Sequence, residues 1–405
     1  MKWEKVKLGD IATCIQPGPF GSQLHNSDYS KEGTPIIMPK DIVGGAIVHS
    51  GLLKVSEEHV KRLSRHQVYE GNLMVARKGD VRKCAYITAN ENGWMTGSDC
   101  LKVVLDESKC YPKFIYYQLR SEHIGRWLEK VSIGATMPSL NTGLLSGIEM
   151  VLPPIEIQKQ IAGILSVYDD LIENNQKQIK LLEEAARRLY KEWFVDLHFP
   201  GHENTKIVDG VPEGWNWCKL EGAIQFDPKV TLTKERMKQF VPMSALSTSS
   251  MVLDESQFTE TTSNSGSKFQ NGDTLLARIT PCLENGKTAY VSGLKSNEGA
   301  VGSTEYIVMR AKTINAYMVY LLARTDDFRQ SAINSMSGSD GRQRVKSDKL
   351  KMLDYLHPTS ELVEKFENVA EPLFEKICKL NKQMQQAKQA RDLLLPKLMS
   401  GEVEV

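Results

Sequence analysis

Residues 157–193 read IQKQIAGILSVYDDLIENNQKQIKLLEEAARRLYKEW. Within them Ile157, Ile161, Ile164, Tyr168, Ile172, Asn175, Ile179, Leu182, Ala186, Leu189 and Trp193 follow one another at steps of 4, 3, 4, 4, 3, 4, 3, 4, 3 and 4. That rhythm is a heptad seam with one stutter, the pattern of a long helix carrying an apolar stripe. Adding 205 to each number gives Leu362, Phe366, Val369, Leu373, Ile377, Leu380, Met384, Ala387, Arg391, Leu394 and Leu398. Ten of these eleven are apolar, and the stutter recurs at the same place. Pro154 stands where a helix start accepts proline, and Pro200-Gly201 closes the first helix. At ~1.5 Å per residue, about 40 residues make a rod of about 60 Å.

Alone, such a helix exposes a long apolar stripe. The simplest partner is its own duplicate. Antiparallel packing about a pseudo-twofold buries both seams and carries the flanking globules to opposite ends. Ile172, Ile179, Leu182, Leu189, Ile377, Leu380, Met384 and Leu394 form the expected pairing seam. Two other arrangements stay open: each seam packs on its own globule, or the chain dimerises. Asn175 and Arg391 break the apolar pattern and read as register or end-fraying features.

The duplication extends beyond the helices, as a search for internal repeats shows. Trp3-x4-Leu8 recurs as Trp215-x4-Leu220, and Gly71–Arg77 recurs as Gly272–Arg278. Ala85-Tyr86-Ile87 recurs as Ala289-Tyr290-Val291, and Gly97-Ser98 recurs as Gly302-Ser303. Leu73–Ala76, Leu275–Ala277, Lys102–Leu105 and Tyr306–Met309 are apolar runs of strand length. Tyr111–Leu119 and Ala316–Ala323 read as helices, with Gly-, Pro-, Ser- and Asn-rich loops between elements. The fold class is therefore α+β: two α/β globules, each followed by a long helix.

Composition narrows the function. The chain has 405 residues, 41% of them apolar and 25% charged, with a net charge of +1. Two or three soluble domains follow. No apolar run approaches the ~20 residues that span a bilayer. The opening Met1-Lys2-Trp3-Glu4-Lys5 has no apolar signal region, and the seven cysteines are scattered without a C-x-x-C. No membrane partner and a reducing cytoplasmic setting are the expectation. There is no phosphate loop, no G-x-G-x-x-G after a strand and no H-E-x-x-H. No catalytic residue, bound metal or cofactor is expected in this chain.

The local wording points further. Phe20-Gly21-Ser22-Gln23-Leu24, Val75-Ala76-Arg77-Lys78-Gly79, Gly134-Ala135-Thr136-Met137-Pro138-Ser139-Leu140 and Leu152-Pro153-Pro154-Ile155-Glu156-Ile157-Gln158 resemble the first half of the specificity subunits of type I restriction-modification enzymes. The second half carries a similar Ala277–Lys287 stretch. No single motif is specific, but their order and duplication cover essentially the whole chain. The resemblance implies target recognition domains at 1–152 and 200–356, a central conserved helix at 153–199 and a C-terminal one at 357–405. It implies a double-stranded DNA partner, two methyltransferase subunits and motor-nuclease subunits. S-adenosylmethionine, ATP and magnesium would then belong to those partners. Residues 334–344, Asn-Ser-Met-Ser-Gly-Ser-Asp-Gly-Arg-Gln-Arg, replace the Thr-Met-Pro-Ser loop of the first half. The two domains should therefore read different sequences. The alternative is a coiled-coil scaffold whose globules bind proteins and have no DNA specificity.

Base reading favours forked groups, and phosphate contact favours plain positive charge. In the second domain Arg342, Gln343 and Arg344 follow a flexible Gly338–Gly341 loop. They contact DNA, or they pair with Asp340 or Asp348. Arg278, Thr280, Asn285 and Lys287 lie just past a strand and contact DNA or cap the sheet. In the first domain Arg77, Lys78, Arg82 and Lys83 form the densest basic cluster. They contact phosphates, or they form a solvated tip paired with Asp80. Phe20, Ser22, Gln23, Thr136 and Ser139 supply stacking and polar contacts from two neighbouring loops. Trp3, Trp215 and Trp217 read as core anchors, and Lys61, Arg62, Arg65 and His66 as a basic helix face.

Overall fold

The computed structural model describes residues 3–132, 138–295, 299–339 and 341–405. Its two long helices run over Ile155–Phe194 and Ser360–Ser400. The chain divides into two compact units, Met1–Leu171 with Ala387–Val405, and Ile172–Gln386. Each unit thus holds one globule and a piece of both long helices.

In the first unit Glu4–Lys7 pairs antiparallel with Glu149–Leu152. The main sheet orders Ala12–Pro17, Cys100–Leu105, Leu73–Ala76 and Cys84–Tyr86, antiparallel throughout. Leu73–Ala76 is buried at every position, as an uninterrupted apolar run requires. Pro112 opens the helix Pro112–Leu119, whose apolar residues cover this sheet. A second sheet orders Met95–Thr96, Thr34–Ile37, Leu53–Val55 and Tyr29–Ser30. Its Thr34–Ile37 and Met95–Thr96 strands run parallel.

The second unit repeats this plan. Asn216–Lys219 pairs with Asp354–His357. Ile224–Phe226, Tyr306–Ala311, Thr274–Ala277 and Thr288–Tyr290 follow in the order of their counterparts. In the second sheet Lys238–Val241 again runs parallel to Ala300–Gly302. The sheets differ at their edges. Ser267–Phe269 pairs with Ala300–Gly302, where the first unit has, among the described residues, the isolated bridge Gln67–Met95.

The helices pair with each other and with the globules. In the second unit the pairing is antiparallel. Asn175 Nδ2 donates to the carbonyl of Leu380 at 3.4 Å, and the Tyr190 and Phe366 rings lie 6.0 Å apart. Ile179, Ala186, Phe374, Ile377 and Leu380 share one core with Leu276, Val319 and Tyr320 of the globule. In the first unit Ile161, Ala162 and Leu165 share a core with Leu395, Leu398, Phe114 and Tyr117. There Arg391 Nη1 meets Asp169 Oδ1 at 2.6 Å, and Tyr117 Oη donates to Asp169 Oδ2 at 2.7 Å.

The expected seam needs one correction. Ile172, Ile179, Ile377, Leu380 and Met384 are buried, but Leu182, Leu189 and Leu394 are only partly so. Ile164 and Val369 are exposed, and the neighbouring Leu165 and Ala370 are buried instead. A helix wedged between a second helix and a globule buries a wider stripe than a two-stranded coil does. Trp217 is also corrected: it is 60% exposed on its edge strand, whereas Trp215 is buried.

Asn175 and Arg391 are register features, as their chemistry demands. Arg391 is 14% exposed, so its charge requires the Asp169 carboxylate. The residues 205 further on and back, Phe374 and Ala186, are both buried in the apolar core of the second unit. Arg391→Ala is expected to lower stability by about 1–3 kcal/mol, because Asp169 keeps only the more distant Arg120, at 3.8 Å, of its two cations. Asp169→Phe combined with Arg391→Ala, the pairing the second unit uses, should recover part of the loss. Denaturant melts of the two variants check this; a single variant as stable as the parent contradicts it.

Candidate nucleic-acid interface

In both units the chain leaves the buried central strand and immediately meets a loop from about 60 residues further on. After Leu73–Ala76, Arg77 donates its backbone N–H to the Asp99 carbonyl at 2.7 Å and accepts from Leu140 at 2.8 Å. Gly79 donates to the Pro138 carbonyl, and Lys78 bridges to Ser139. Gly79 has a φ of +79°, which a side chain would resist, and the chain turns there. After Thr274–Ala277, Val345 donates to the Arg278 carbonyl at 2.9 Å and Thr280 donates to the Gln343 carbonyl at 3.1 Å. Ile279 bridges to Arg344, which also bridges to Ser337. The same two loops are joined in the same way, with different side chains.

These joints bring together Arg77, Lys78 and Ser139 in the first unit. They bring together Arg278, Thr280, Gln343 and Arg344 in the second. Phe20, 52% exposed, lies beneath the Arg77 guanidinium at 5.3 Å, so the Gly18–Gln23 loop joins the first cluster. Lys78 Nζ pairs with Asp99 at 3.1 Å, with both side chains partly exposed. Thr136 lies outside the described residues.

Other candidates are occupied internally. The Arg82 guanidinium binds Glu122 and Glu129 of the helix Glu122–Val131, and only its backbone N–H reaches Asp80. The Glu122 carboxylate, first of all through its hydrogen bond, raises the Arg82 pKa. Arg82 packs against Gly125, where an added methyl would stand 2.7 Å from Nε. In the second unit the arrangement is exchanged: Arg329 on the helix packs against Gly286 on the loop. One arginine fills the same gap from opposite sides. Lys83 Nζ donates to the Pro39 carbonyl at 3.1 Å, and Lys287 Nζ donates to the Met243 carbonyl at 2.9 Å. Each pair is related to the other by 204 positions. Arg82, Lys83 and Lys287 therefore tie loops to the globule, and the expected four-residue basic cluster is two separate pairs.

Arg344 forms a forked pair with Glu305, Nε to Oε2 at 2.9 Å and Nη2 to Oε1 at 2.7 Å. The hydrogen bond from Arg344 lowers the Glu305 carboxyl pKa. The expected partner Asp348 binds Lys351 instead, and Asp340 lies outside the described residues. Arg342 is exposed, and among the described residues its side chain has no partner. Asn285 is exposed at the end of its turn, where its backbone N–H donates to the Pro281 carbonyl. Arg278 Nε and Thr280 Oγ1 are enclosed without a hydrogen-bond partner.

The residues that sequence reading set aside as a helix face border the first cluster. Arg62 Nη2 donates to the Gln23 carbonyl at 2.8 Å, and Gln16 Nε2 donates to the Arg65 carbonyl at 2.5 Å. Gln16, Phe20, Ser22, Gln23, Arg65 and His66 line one cleft. Their separation in sequence hides it. Burial, helped by Arg65 and Lys102, pushes the His66 pKa down to about 4, and its Nε2 accepts from Arg65 Nε at 3.0 Å. His66 is thus neutral at neutral pH.

Each unit thus carries an α/β globule with jointed loops, packed against parts of the two long helices. The chain is similar to the specificity subunits of type I restriction-modification enzymes. Residues 1–184 match the family model described as the type I restriction modification DNA specificity domain. The whole chain is 25% identical over 415 residues to the type I restriction enzyme MjaIX specificity subunit of Methanocaldococcus jannaschii, covering 94% of that protein. It is 34% identical over 233 residues to the EcoAI specificity subunit of Escherichia coli, spanning 55% of this chain and 39% of that one. The solved S subunit of the type I restriction-modification system from M. genitalium has the same fold. It matches with a TM-score of 0.60 and 16% identity, over 98% of this chain and 96% of that one.

The lowered His66 value sets a pH dependence. Between the ordinary 6.5 and about 4 the unfolded chain holds the proton and the folded one does not. The contribution to stability is therefore complete above pH 6.5 and declines as pH falls toward about 4. The expected slope is at most ~1.4 kcal/mol per pH unit. His66→Gln should flatten this stretch in denaturant melts; an unchanged profile contradicts the assignment.

Proposed function

We propose that this chain is the DNA sequence-recognition subunit of a type I restriction-modification complex. It binds a split duplex target, one half-site per unit, and docks two methyltransferase subunits on its duplicated helices. The observation that carries this reading is the repeated joint between the two loops in each unit, at 77–79 with 138–140 and at 278–280 with 343–345. Rigid joints with unlike side chains suit two readers of unlike sequence. Arg77 over Phe20 offers a forked, stacked group, while Arg342, Gln343 and Arg344 offer forked donors suited to base edges. Glu305 holds two of the Arg344 nitrogens, which fixes the direction of the fork.

In this reading the chain carries no catalysis of its own. S-adenosylmethionine serves the methyltransferase subunits, and ATP and magnesium serve motor-nuclease subunits, all in the cytoplasm. Among the described residues no helix is long and apolar enough to cross a membrane.

Selection from a randomised duplex pool tests the reading, with the full chain alone and with methyltransferase subunits from its own genome. Two unlike short motifs at one spacing are expected. A folded sample that enriches nothing under either condition would sink it and favour a protein-binding scaffold. Arg342→Ala and Arg344→Ala are each expected to cost about 1–3 kcal/mol of binding and to relax one half-site only. Unchanged sequence preference would remove them from the reading role.

A further inference from the structure

The second unit has a cleft that neither the candidate loops nor the family relationship points to. It has a volume of about 630 Å³ and is lined by Lys229, Lys234, Lys268 and Arg278, with Asp227 and Asn264. Its position repeats that of the first unit's cleft. Each opens at the end of the first strand of the main sheet, Ala12–Pro17 in one unit and Ile224–Phe226 in the other. Each is closed by the segment that pairs antiparallel with the second sheet: residues next to the Gln67–Met95 bridge in one, and Ser267–Phe269 in the other. The chemistry differs. The first cleft contains amides, Phe20 and one arginine, whereas the second contains three ammonium groups and a guanidinium.

The three lysine charges are unspent, while Arg278 also feels the Glu305 carboxylate. Among the described residues none of Lys229, Lys234 and Lys268 has a hydrogen bond or ion pair from its ammonium group. Asp227, the cleft's carboxylate, accepts the Val308 backbone N–H at 3.0 Å. Asn264 accepts from Lys238, which also binds the Thr262 carbonyl. Arg278 Nε is enclosed and has no acceptor. Like charges gathered on one concave wall repel one another unless an anion neutralises them. Lysine presents a point charge with no fork, which suits a phosphate and not a base edge. Arg278 belongs both to this cleft and to the jointed loop, so an anion held here lies beside the candidate reading residues.

We infer that this cleft seats the duplex backbone phosphates flanking the second half-site, so that Lys229, Lys234, Lys268 and Arg278 hold the DNA in register without reading it. The inference rests on the DNA-recognition reading above. It makes phosphate contact unequal between the units, with the second supplying more of the salt-sensitive affinity.

The test uses the full chain and two duplexes, one bearing the selected target and one unrelated, titrated across salt concentrations. Each phosphate contact contributes about −0.9 to the slope of log affinity against log salt. Lys229→Gln, Lys234→Gln and Lys268→Gln together should make the slope shallower by about two to three on both duplexes. Sequence preference should stay as in the parent. Lys268 is partly buried, so if the triple variant melts early, the exposed pair Lys229→Gln and Lys234→Gln repeats the measurement with an expected change of about two. A parent that binds its target while the variants keep its slope overturns this inference and leaves the recognition reading intact. Altered sequence preference overturns it by making the lysines base readers. A parent with no salt-dependent duplex binding overturns both.

Discussion

The placement of everything else depends on how the two duplicated helices are pinned. In the first unit the pin is ionic: Arg391 against Asp169, with Tyr117 donating to the same carboxylate. In the second it is apolar, with Ala186 and Phe374 buried in a common core, and Asn175 donates to the carbonyl of Leu380. Apolar seams alone tolerate sliding by a heptad, because one leucine fits a hole as well as another. A part-buried arginine needs a carboxylate across the helix pair as well as the neighbouring Asp392, and a buried amide needs its acceptor. The helix repeat therefore carries two different registry devices on one pattern. Because each helix also forms part of a globule's core, fixing the register fixes the platform beneath each pair of loops.

The loops themselves are held by ties that recur between the units, whereas their tips do not. Lys83 with Pro39 and Lys287 with Met243 make the same bond in both units. Arg82 on Gly125 and Arg329 on Gly286 fill the same gap from opposite partners. Beyond these ties the side chains diverge: Phe20, Arg77, Lys78 and Ser139 in one unit, and Arg278, Thr280, Gln343 and Arg344 in the other. A shared frame with unlike tips is what two readers of unlike half-sites need. A base edge discriminates by only ~1–3 kcal/mol per forked contact, and loose framing would lose that.

The duplication and the two long helices were legible in sequence because each rests on a local pattern. Heptad spacing exposes a helix, and a repeat at a near-constant offset exposes a domain pair. Partnership over distance was not legible. Arg82, Lys83 and Lys287 look like free basic residues until Glu122, Pro39 and Met243 are seen beside them. The lysine cleft was hidden for the same reason: Lys229 and Lys234, Lys268, and Arg278 lie in three separate segments and make no motif. The seam shifted from Ile164 to Leu165 and from Val369 to Ala370 because the globule claims part of each helix's apolar face. Periodicity shows that a face is apolar, but not how many neighbours share it.

The central claim of the proposed function is that the two units read two unlike half-sites at a set spacing. It is tested most directly by a spacer series. Duplexes carry both selected half-sites separated by increasing numbers of base pairs, and the affinity of the full chain, with its methyltransferase subunits, is measured on each. One sharp optimum is expected, with at least a tenfold loss when the spacer changes by a single base pair. Equal affinity across spacers would mean that the readers are not held in a fixed frame, and would contradict the account.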